Sequence, residues 1–297
     1  MTQQQSITDL LTAPQRPLLS YEFFPPKDDE GMAMLENAAS ALKPTCPDFV
    51  TVTYGAGGST RTQTLRVCRT LAELGMTPVM HHLTCVGASQ TELREILDII
   101  RREGIRNIMA LRGDPPRGEK HFQKHPDGFS NAAELVRFIK QSYPDMCCGV
   151  AGYPETHQEA VSSNMDIHYL KAKVDAGGAF VTTQLFYDNQ LFYDFVDRCR
   201  KAGIEAPIIP GLLPPLSLKQ LQRMANMCQA SLPQELLRQM EAAGEDASRT
   251  EEVGIEWTVN QIKDLLAHRV PGIHLYILNR SKAVLAPALI KCFRPES

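Results

Sequence analysis

One carboxylate, Glu22, lies inside the largely apolar run Leu18–Phe24. A buried carboxylate is costly unless it is paired, protonated or used in chemistry. Side chains alternate along a strand, so Glu22 and Phe24 share one face. If that face is enclosed, burial favours the neutral carboxyl, which is the form a general acid needs. Glu22 is therefore a candidate general acid, and a structural ion pair with a neighbouring Arg or Lys is the alternative.

The segment Arg112-Gly113-Asp114 places two opposite charges on either side of a glycine. A glycine allows the backbone to approach a ligand closely. The side chains of Arg112 and Asp114 either pair with each other or contact different parts of one bound molecule. At 4 Å and an effective dielectric constant near 20, Asp114 would stabilise a cation by at most about 4 kcal/mol, or ~10³ in rate.

Two further segments have binding patterns that are also compatible with ordinary structure. The glycine-rich run Gly55–Thr60 follows an apolar run and leads into a helical pattern, so its N–H groups suit an anion, although a plain loop fits as well. Asp166, Tyr169 and Lys173 are spaced to share one helix face. That face is either solvated or lines a site.

Gln184 ends an apolar run, where a neutral amide suits a heterocycle such as a pterin. A core glutamine with satisfied hydrogen bonds is the alternative. The chain has no G-x-S-x-G motif and no cysteine in an evident His/Asn setting. Lys173 could serve as a Schiff-base lysine, but chemistry without a metal or a nucleophile favours an organic cofactor.

Composition excludes several classes of protein. The 297 residues are 43% hydrophobic and 22% charged, with a net charge of −3, which is typical of a globular chain without a large nucleic-acid-binding surface. No apolar run approaches the ~18–20 residues of a membrane span, and Met1 to Gln15 lacks the pattern of a secretory signal. The eight cysteines include no C-x-x-C pair, and His81 and His82 point to opposite faces of a strand, so we expect reduced thiols, no metal site and a cytoplasmic location.

Eight short apolar runs alternate with helical patterns, which predicts an α/β fold, the (β/α)8 TIM barrel, with a doubly wound open sheet as the alternative. We expect residues 1–17 to form a tail or short helix and residues 18–297 to form a single barrel domain. Chemistry in such a barrel lies at the C-terminal ends of the strands. The predicted strands are Leu18–Phe24, Phe49–Tyr54, Pro78–Cys85, Asn107–Leu111, Cys147–Tyr153, Ala179–Phe186, Pro207–Leu212 and Gly272–Leu278.

An ordered set of short motifs resembles the bacterial methylenetetrahydrofolate reductase family, from about Tyr21 to Arg280. The motifs are Y-E-F-F-P-P from Tyr21, V-T-Y-G-A from Val52, H-L-T-C from His82, A-L-R-G-D from Ala110, G-Y-P-E-T-H from Gly152, K-V-D-A-G from Lys173, T-Q at Thr183 and L-N-R from Leu278. Each is short, but together and in this order they are specific.

The resemblance implies a flavin-dependent barrel in which NADH or NADPH reduces FAD, which then reduces 5,10-methylenetetrahydrofolate to 5-methyltetrahydrofolate for methionine synthesis. It implies a homo-oligomer, with Glu22 as general acid and Asp114 beside flavin and folate. Asp114, Gln184, Gln220 and Arg280 would contact folate. The FAD site would be lined by Thr53, Tyr54, Ala56, His82, Arg112, Gly113, Asp114, Ser130, Tyr153, His157, Asp166, Tyr169 and Lys173.

Three other functions remain open at this point. The chain could be a flavin- or folate-binding barrel within a larger complex, a flavin-free reductase, or a lyase that uses Lys173. Retention of both Glu22 and Asp114 favours the flavin-dependent reductase, because a binding module needs neither. No residue that would distinguish NADH from NADPH is identifiable.

Overall fold

The protein forms a barrel of parallel strands surrounded by helices. A computed structural model describes residues 3–12, 14–54, 61–114 and 122–293. Hydrogen-bonded neighbours follow the order β7-β6-β5-β4-β3-β2-β1-β9-β8, and every pairing is parallel. The strands are β1 (Leu18–Phe23), β2 (Phe49–Val52), β3 (Val79–Thr84), β4 (Asn107–Leu111), β5 (Cys147–Gly152), β6 (Phe180–Thr183), β7 (Ile208–Ile209), β8 (Gly211–Leu212) and β9 (Gly272–Tyr276).

The two shortest strands, β7 and β8, are halves of one barrel strand. Pro210 lies between them, and a proline has no N–H to donate to a ladder. Its carbonyl still accepts a hydrogen bond from the His274 N–H at 2.9 Å. Since β7 pairs with β6 and β8 pairs with β9, this one stretch joins the two ends of the sheet. The predicted eight-stranded barrel is therefore confirmed over the open sheet.

The helices follow the predicted alternation with the strands. In α4, the buried residues Leu93, Ile96, Leu97 and Ile100 form one apolar stripe, and a capping box at Ser89 starts the helix. Around the barrel lie α1 (Ile7–Thr12), α2 (Asp29–Leu42), α3 (Arg61–Glu73), α4 (Gln90–Arg102), α5 (Ala132–Ser142), α6 (Ser163–Asp175), α7 (Asn189–Lys201), α8 (Leu218–Cys228), α9 (Gln234–Ala243), α10 (Ala247–Ala267) and α11 (Pro287–Phe293).

Helix α6 begins later than its periodicity predicts. The helical pattern starts at His157, but the helix starts at Ser163, where the Ser162 hydroxyl accepts from the Met165 N–H. The backbone N–H of His157 is taken instead by the Asp166 carboxylate, at 3.0 Å. Residues 153–162, named here the β5–α6 loop, are thereby kept outside the helix at the mouth of the barrel.

The N-terminal segment packs against the bottom of the barrel. Ile7 at the start of α1 is fully buried among interior residues such as Phe49 and Phe180. Its N–H donates to the Asn107 side chain, which in turn donates to the Gln5 carbonyl. The barrel interior is therefore apolar at this end, and the polar interior side chains are concentrated toward the opposite end.

Candidate active site

Glu22 lies inside the barrel, between two histidines on other strands. Its Oε2 is 3.6 Å from Nε2 of His274 on β9 and 3.7 Å from Nε2 of His82 on β3. Strand β3 is not a neighbour of β1, so a contact between them crosses the barrel interior. Both histidines are almost fully buried, whereas the Glu22 side chain is 20% exposed. The carboxyl group is therefore enclosed on its sides and open toward the mouth.

The two histidines differ in their partners. Burial lowers the pKa of His82 to about 4, with His274 acting in the same direction and Glu22 opposing, so His82 is neutral near pH 7. Its Nε2 has no hydrogen-bond partner among the described residues. His274 is held from behind, because its Nδ1 lies 2.8 Å from the Ser20 hydroxyl. Glu22 therefore lies between the His274 imidazole, which Ser20 fixes, and the His82 imidazole, whose Nε2 is available for a hydrogen bond.

A second group of predicted residues lines a cavity of about 370 Å³ beside the mouth, between β4, β5, α5 and α6. The cavity contains both charged and aromatic side chains. Seven residues predicted to contact the cofactor lie in its wall: Arg112, Ser130, Tyr153, His157, Asp166, Tyr169 and Lys173. The helix face of Asp166, Tyr169 and Lys173 is therefore turned toward this cavity.

Lys173 is the cation at the inner side of this cavity. Its Nζ donates to the Ala151 carbonyl at 2.5 Å and lies 5.9 Å from the centre of the Tyr153 ring. Burial lowers the pKa of Lys173 to about 8, although Asp166 opposes the shift. Burial also raises the pKa of Tyr153 to about 12, assisted by Asp166 and Asp114. An anion placed in the cavity would compensate the desolvated ammonium.

Arg112 is paired across the outer side of the same cavity. Its Nη1 and Nη2 donate to the two carboxylate oxygens of Glu159 at 2.5 and 2.8 Å. Hydrogen bonding to Glu159 raises the pKa of Arg112. Its guanidinium also lies over the Phe122 ring, 5.0 Å from the centre. Arg112 therefore does not pair with Asp114, which is exposed at the end of the β4 segment.

The predicted folate contacts lie on other parts of the rim. Gln184 follows β6, and its Oε1 accepts from the Leu185 N–H. Gln220 lies in α8, where its Oε1 accepts from the Leu216 N–H. Arg280 is exposed just after β9. Gln184, Gln220 and Arg280 therefore lie in three different segments, which follow β6, β8 and β9 on the mouth side of the barrel. They do not form one cluster.

The remaining predicted contacts lie near β2, β3 and β4. Thr53 donates its backbone N–H to the Phe23 carbonyl, and the Tyr54 ring is 5.7 Å from the His81 ring. Gly113 has φ +90, and a Cβ there would lie 2.6 Å from Val86 Cγ1. Ala56 lies outside the described residues.

Sequence reasoning missed several residues around the mouth. Strand alternation predicts that His274 and Tyr276 share a face, but it does not show which face of the strand is interior. The amide of Asn279 accepts from the N–H and donates to the carbonyl of Phe24, at 3.0 and 2.8 Å, and so fixes the end of β1. Glu159 carries no local signal, because its partner Arg112 is 47 residues away.

The described residues contain neither a metal-binding cluster nor a membrane-spanning helix. Within the described ranges, no group of three His, Cys, Asp or Glu side chains is arranged to hold a metal ion. Over the same ranges, no helix has both the length and the apolar character needed to cross a membrane.

Comparisons with known proteins agree with the motif resemblance. The sequence model of the family described as methylenetetrahydrofolate reductase matches residues 7–288. A 5,10-methylenetetrahydrofolate reductase of Pectobacterium carotovorum is 37% identical over 279 residues, covering 94% of this chain and 91% of that protein. The methylenetetrahydrofolate reductase (NADH) 1 of Arabidopsis thaliana is 38% identical over 276 residues, covering 90% of this chain but 47% of that protein. The chain thus spans about half the length of the plant relatives.

The fold also occurs among solved structures, and one of them matches nearly the whole chain. It is an uncharacterized protein from Clostridium thermocellum that binds two copies of 5-methyl-5,6,7,8-tetrahydrofolic acid. The TM-score is 0.65, the sequences are 15% identical, and the match covers 97% of each chain. At that identity the likeness shows the barrel fold alone.

Proposed function

Because the chain belongs to the methylenetetrahydrofolate reductase family, we propose that it reduces 5,10-methylenetetrahydrofolate to 5-methyltetrahydrofolate, with FAD as cofactor and NADH or NADPH as reductant. The observation that carries the proposal is Glu22, held between His82 and His274 at the mouth of a barrel, next to a cavity with charged and aromatic walls. A general acid and a cofactor cavity in one barrel mouth suit a reductase better than a binding module.

The cavity residues fit a flavin dinucleotide. Lys173 offers a cation for a phosphate, Arg112 lines the cavity while paired with Glu159, Asp166 offers an acceptor for hydroxyl groups, and Tyr153 and Tyr169 offer aromatic faces. His82 Nε2 and Thr84 Oγ1 are buried polar atoms without a hydrogen-bond partner in the described ranges, so they are available to ring heteroatoms. When bound, FAD supplies the hydride that reduces the folate carbon.

Glu22 supplies the proton that ring opening requires. Opening the five-membered ring of the substrate to an N5 iminium cation breaks a bond to N10, and that nitrogen leaves more readily when it is protonated. The enclosed carboxyl lies at the mouth, where it can deliver this proton, and His274 and Ser20 fix one side of its surroundings. Neutral His82 adds no positive charge that would favour the ionised carboxylate.

Asp114 and the rim residues orient the substrate. Asp114 lies after β4, across the barrel from β1, so it and Glu22 address the substrate from different sides. Its exposed carboxylate stabilises the iminium cation through a charge interaction that solvent weakens. Gln184 and Gln220 provide amides for the pterin, and the exposed Arg280 provides a cation for a folate carboxylate.

The proposal is tested by a visible absorption spectrum of the purified protein, followed by anaerobic additions. A flavin band that is bleached by NADH or NADPH and restored by methylenetetrahydrofolate supports both half-reactions and identifies the preferred nicotinamide. A colourless protein that FAD does not reconstitute, yet that still reduces the folate, would instead identify a flavin-free reductase. Binding without turnover would identify a subunit of a larger complex.

A further inference from the structure

The β5–α6 loop contacts more of the mouth than the cofactor cavity alone. His157 and Glu159 face the cavity. At the base of the loop, the Pro154 carbonyl accepts from Nη2 of Arg198 on α7, at 3.0 Å. The loop is therefore anchored at its base, and its remaining polar side chains can hold other segments in place.

Glu155 in this loop binds the connection between α8 and α9. The backbone N–H of Ser231 donates to both carboxylate oxygens of Glu155, at 2.9 and 3.1 Å, and the Ser231 hydroxyl donates to one of them. No Lys or Arg of the described ranges forms a salt bridge with Glu155. The carboxylate is therefore stabilised by the neutral N–H and hydroxyl donors of Ser231. Hydrogen bonds to a charged group are stronger than those between neutral groups.

A second, weaker contact joins the same two segments. Gln229, the left-handed cap at the end of α8, donates from Nε2 to Oε1 of Gln158 at 3.1 Å. The end of α8 is thus attached to the β5–α6 loop at two points. These contacts span 71 and 76 residues of sequence, so they are tertiary contacts rather than turn geometry.

The end of α8 that these contacts hold lies beside the catalytic mouth. Burial raises the pKa of the Cys228 thiol to about 11, and the Glu22 charge contributes to the shift. Cys228 also contributes to the raised pKa of Tyr276, whose hydroxyl donates to the Thr183 carbonyl. The last turn of α8 packs against this end of the barrel, because Met224, Ala225 and Cys228 share a hydrophobic cluster with Leu185 after β6 and Tyr276 on β9.

We propose that Glu155 is a positioning residue which, through Ser231, holds the end of α8 over the barrel mouth and so joins the cofactor-side loop to the folate-side helix. Glu155 is not among the residues proposed to contact FAD or folate, and it acts through α8, whose first turn carries Gln220. Without the carboxylate, the end of α8 loses three hydrogen bonds at once and moves away from the mouth more often. The folate side of the site is then less well formed, while the cavity lined by Lys173 is unchanged.

The position of α8 is measured directly by the reactivity of Cys228, which is half-buried at its end. We expect Glu155→Ala to increase the alkylation rate of Cys228 about tenfold at pH 8, because opening exposes the thiol and removes the burial that opposes ionisation. Exposed Cys46 is the internal reference, read by peptide mass spectrometry. Amide hydrogen exchange over residues 218–231 should rise with it.

The matched control is Glu235→Ala, which removes an exposed carboxylate that binds Arg238 and Gln239 on α9. It should leave Cys228 alkylation and α8 exchange at wild-type values. Glu155→Gln keeps one acceptor facing Ser231 and should restore most of the protection. Ser231→Ala removes only the hydroxyl and should give an intermediate rate, which keeps the test usable if Glu155→Ala does not fold.

A kinetic test of Glu155→Ala rests on the proposed function, because it measures reduction of methylenetetrahydrofolate. We expect Glu155→Ala to raise KM for methylenetetrahydrofolate about tenfold, with kcat reduced less than threefold and FAD affinity unchanged. Unchanged Cys228 alkylation and α8 exchange in Glu155→Ala would overturn the proposal, as would a loss of FAD affinity as large as the increase in KM. If the wild-type protein does not reduce folate, the proposed function fails, whereas alkylation and exchange still decide whether Glu155 holds α8.

Discussion

Glu22 Oε2 and His274 Nε2 lie 3.6 Å apart in the barrel interior, and the opposite nitrogen of His274 is bound to the Ser20 hydroxyl. Ser20 and Glu22 are on the same face of β1, and Ser20 is the register partner of His274 in β9. The imidazole is therefore held at both ends by one strand. This arrangement fixes the surroundings of the proposed acid before any substrate binds.

Glu22→Gln separates proton donation from cofactor chemistry. The amide is close in size to the carboxyl but does not donate a proton to N10, so we expect folate reduction to fall at least ~100-fold. Reduction of the flavin by NADH or NADPH should stay within about threefold of wild type, because that half-reaction needs no such proton. Stopped-flow absorbance of the two half-reactions measures both rates.

The control for this variant is Glu36→Gln, which changes an exposed carboxyl on α2 in the same way. It should leave both half-reactions unchanged. If Glu22→Gln reduces folate at the wild-type rate, the assignment of Glu22 as general acid is wrong.

The sequence pattern was sufficient for the barrel because its signals are local. The eight apolar runs, the glycines with positive φ after α3, α4 and α7, and the stripe of α4 each depend on a few neighbouring residues. The shared face of Asp166, Tyr169 and Lys173 follows from helical spacing in the same way. Those three residues line the same cavity.

The contacts between distant segments could not be predicted from these local signals. Strand alternation groups His274 with Tyr276, but it does not state which face is inside a barrel. Ser231 and Glu155 are far apart in sequence and lie in loops, where spacing carries no periodic signal. Helical periodicity does not mark the start of α6, because the pattern continues upstream through a segment whose His157 N–H is bound by the Asp166 side chain.

Lys173 should make cofactor affinity depend on pH. Burial lowers the pKa of Lys173 to about 8, so the ammonium is charged below that pH and neutral above it. An anionic phosphate binds the charged form better, so affinity for FAD should fall as the pH rises through about 8, and binding above that pH should take up a proton. Fluorescence titration of the apoprotein with FAD between pH 6.5 and 9.5 measures this dependence.

Lys173→Gln should weaken FAD binding at least tenfold at pH 7 and remove the fall above pH 8, because an amide does not titrate. Lys171→Gln is the matched control, since Lys171 is on the same helix but pairs with Asp175. An identical pH dependence in Lys173→Gln and wild type would assign the titration to another group.

His81 should limit stability in mild acid. It is fully buried, and neither ring nitrogen has a hydrogen-bond partner among the described residues. Burial lowers its pKa from 6.5 to about 3, with His82 acting in the same direction. The folded state therefore resists protonation, and stability present above pH 6.5 is lost as the pH falls toward 3. The loss by pH 5 is about 2 kcal/mol for this one group, at 1.36 kcal/mol per pH unit.

Urea unfolding at pH 7, 6 and 5 tests this prediction with His81→Leu. The variant lacks the titrating ring, so its stability should fall by about 2 kcal/mol less than that of wild type between pH 7 and 5. His168→Leu, an exposed position on α6, should follow wild type across the series. Parallel curves for His81→Leu and wild type would show that His81 does not cause the loss.

Gly113 lies between the charged residues Arg112 and Asp114, and its backbone packs against Thr84 and Val86. Its φ is +90, and an added Cβ would lie 2.6 Å from Val86 Cγ1 and 2.9 Å from Thr84 Cβ. Gly87 is a close control, because its φ is +66 but an added Cβ meets nothing within 4 Å. Gly87→Ala therefore incurs only backbone strain, about 1–2 kcal/mol, whereas Gly113→Ala adds an overpacking cost of about 1–3 kcal/mol.

The steric clash should also impair FAD binding and folate turnover, because the backbone between Arg112 and Asp114 must move to relieve it. We expect Gly113→Ala to reduce FAD affinity and folate turnover at least tenfold, while Gly87→Ala stays within about twofold of wild type. Urea unfolding, FAD titration and steady-state kinetics on both variants measure the difference. Equal losses in the two variants would mean that positive φ alone, and not the contact with β3 and Val86, explains the glycine at position 113.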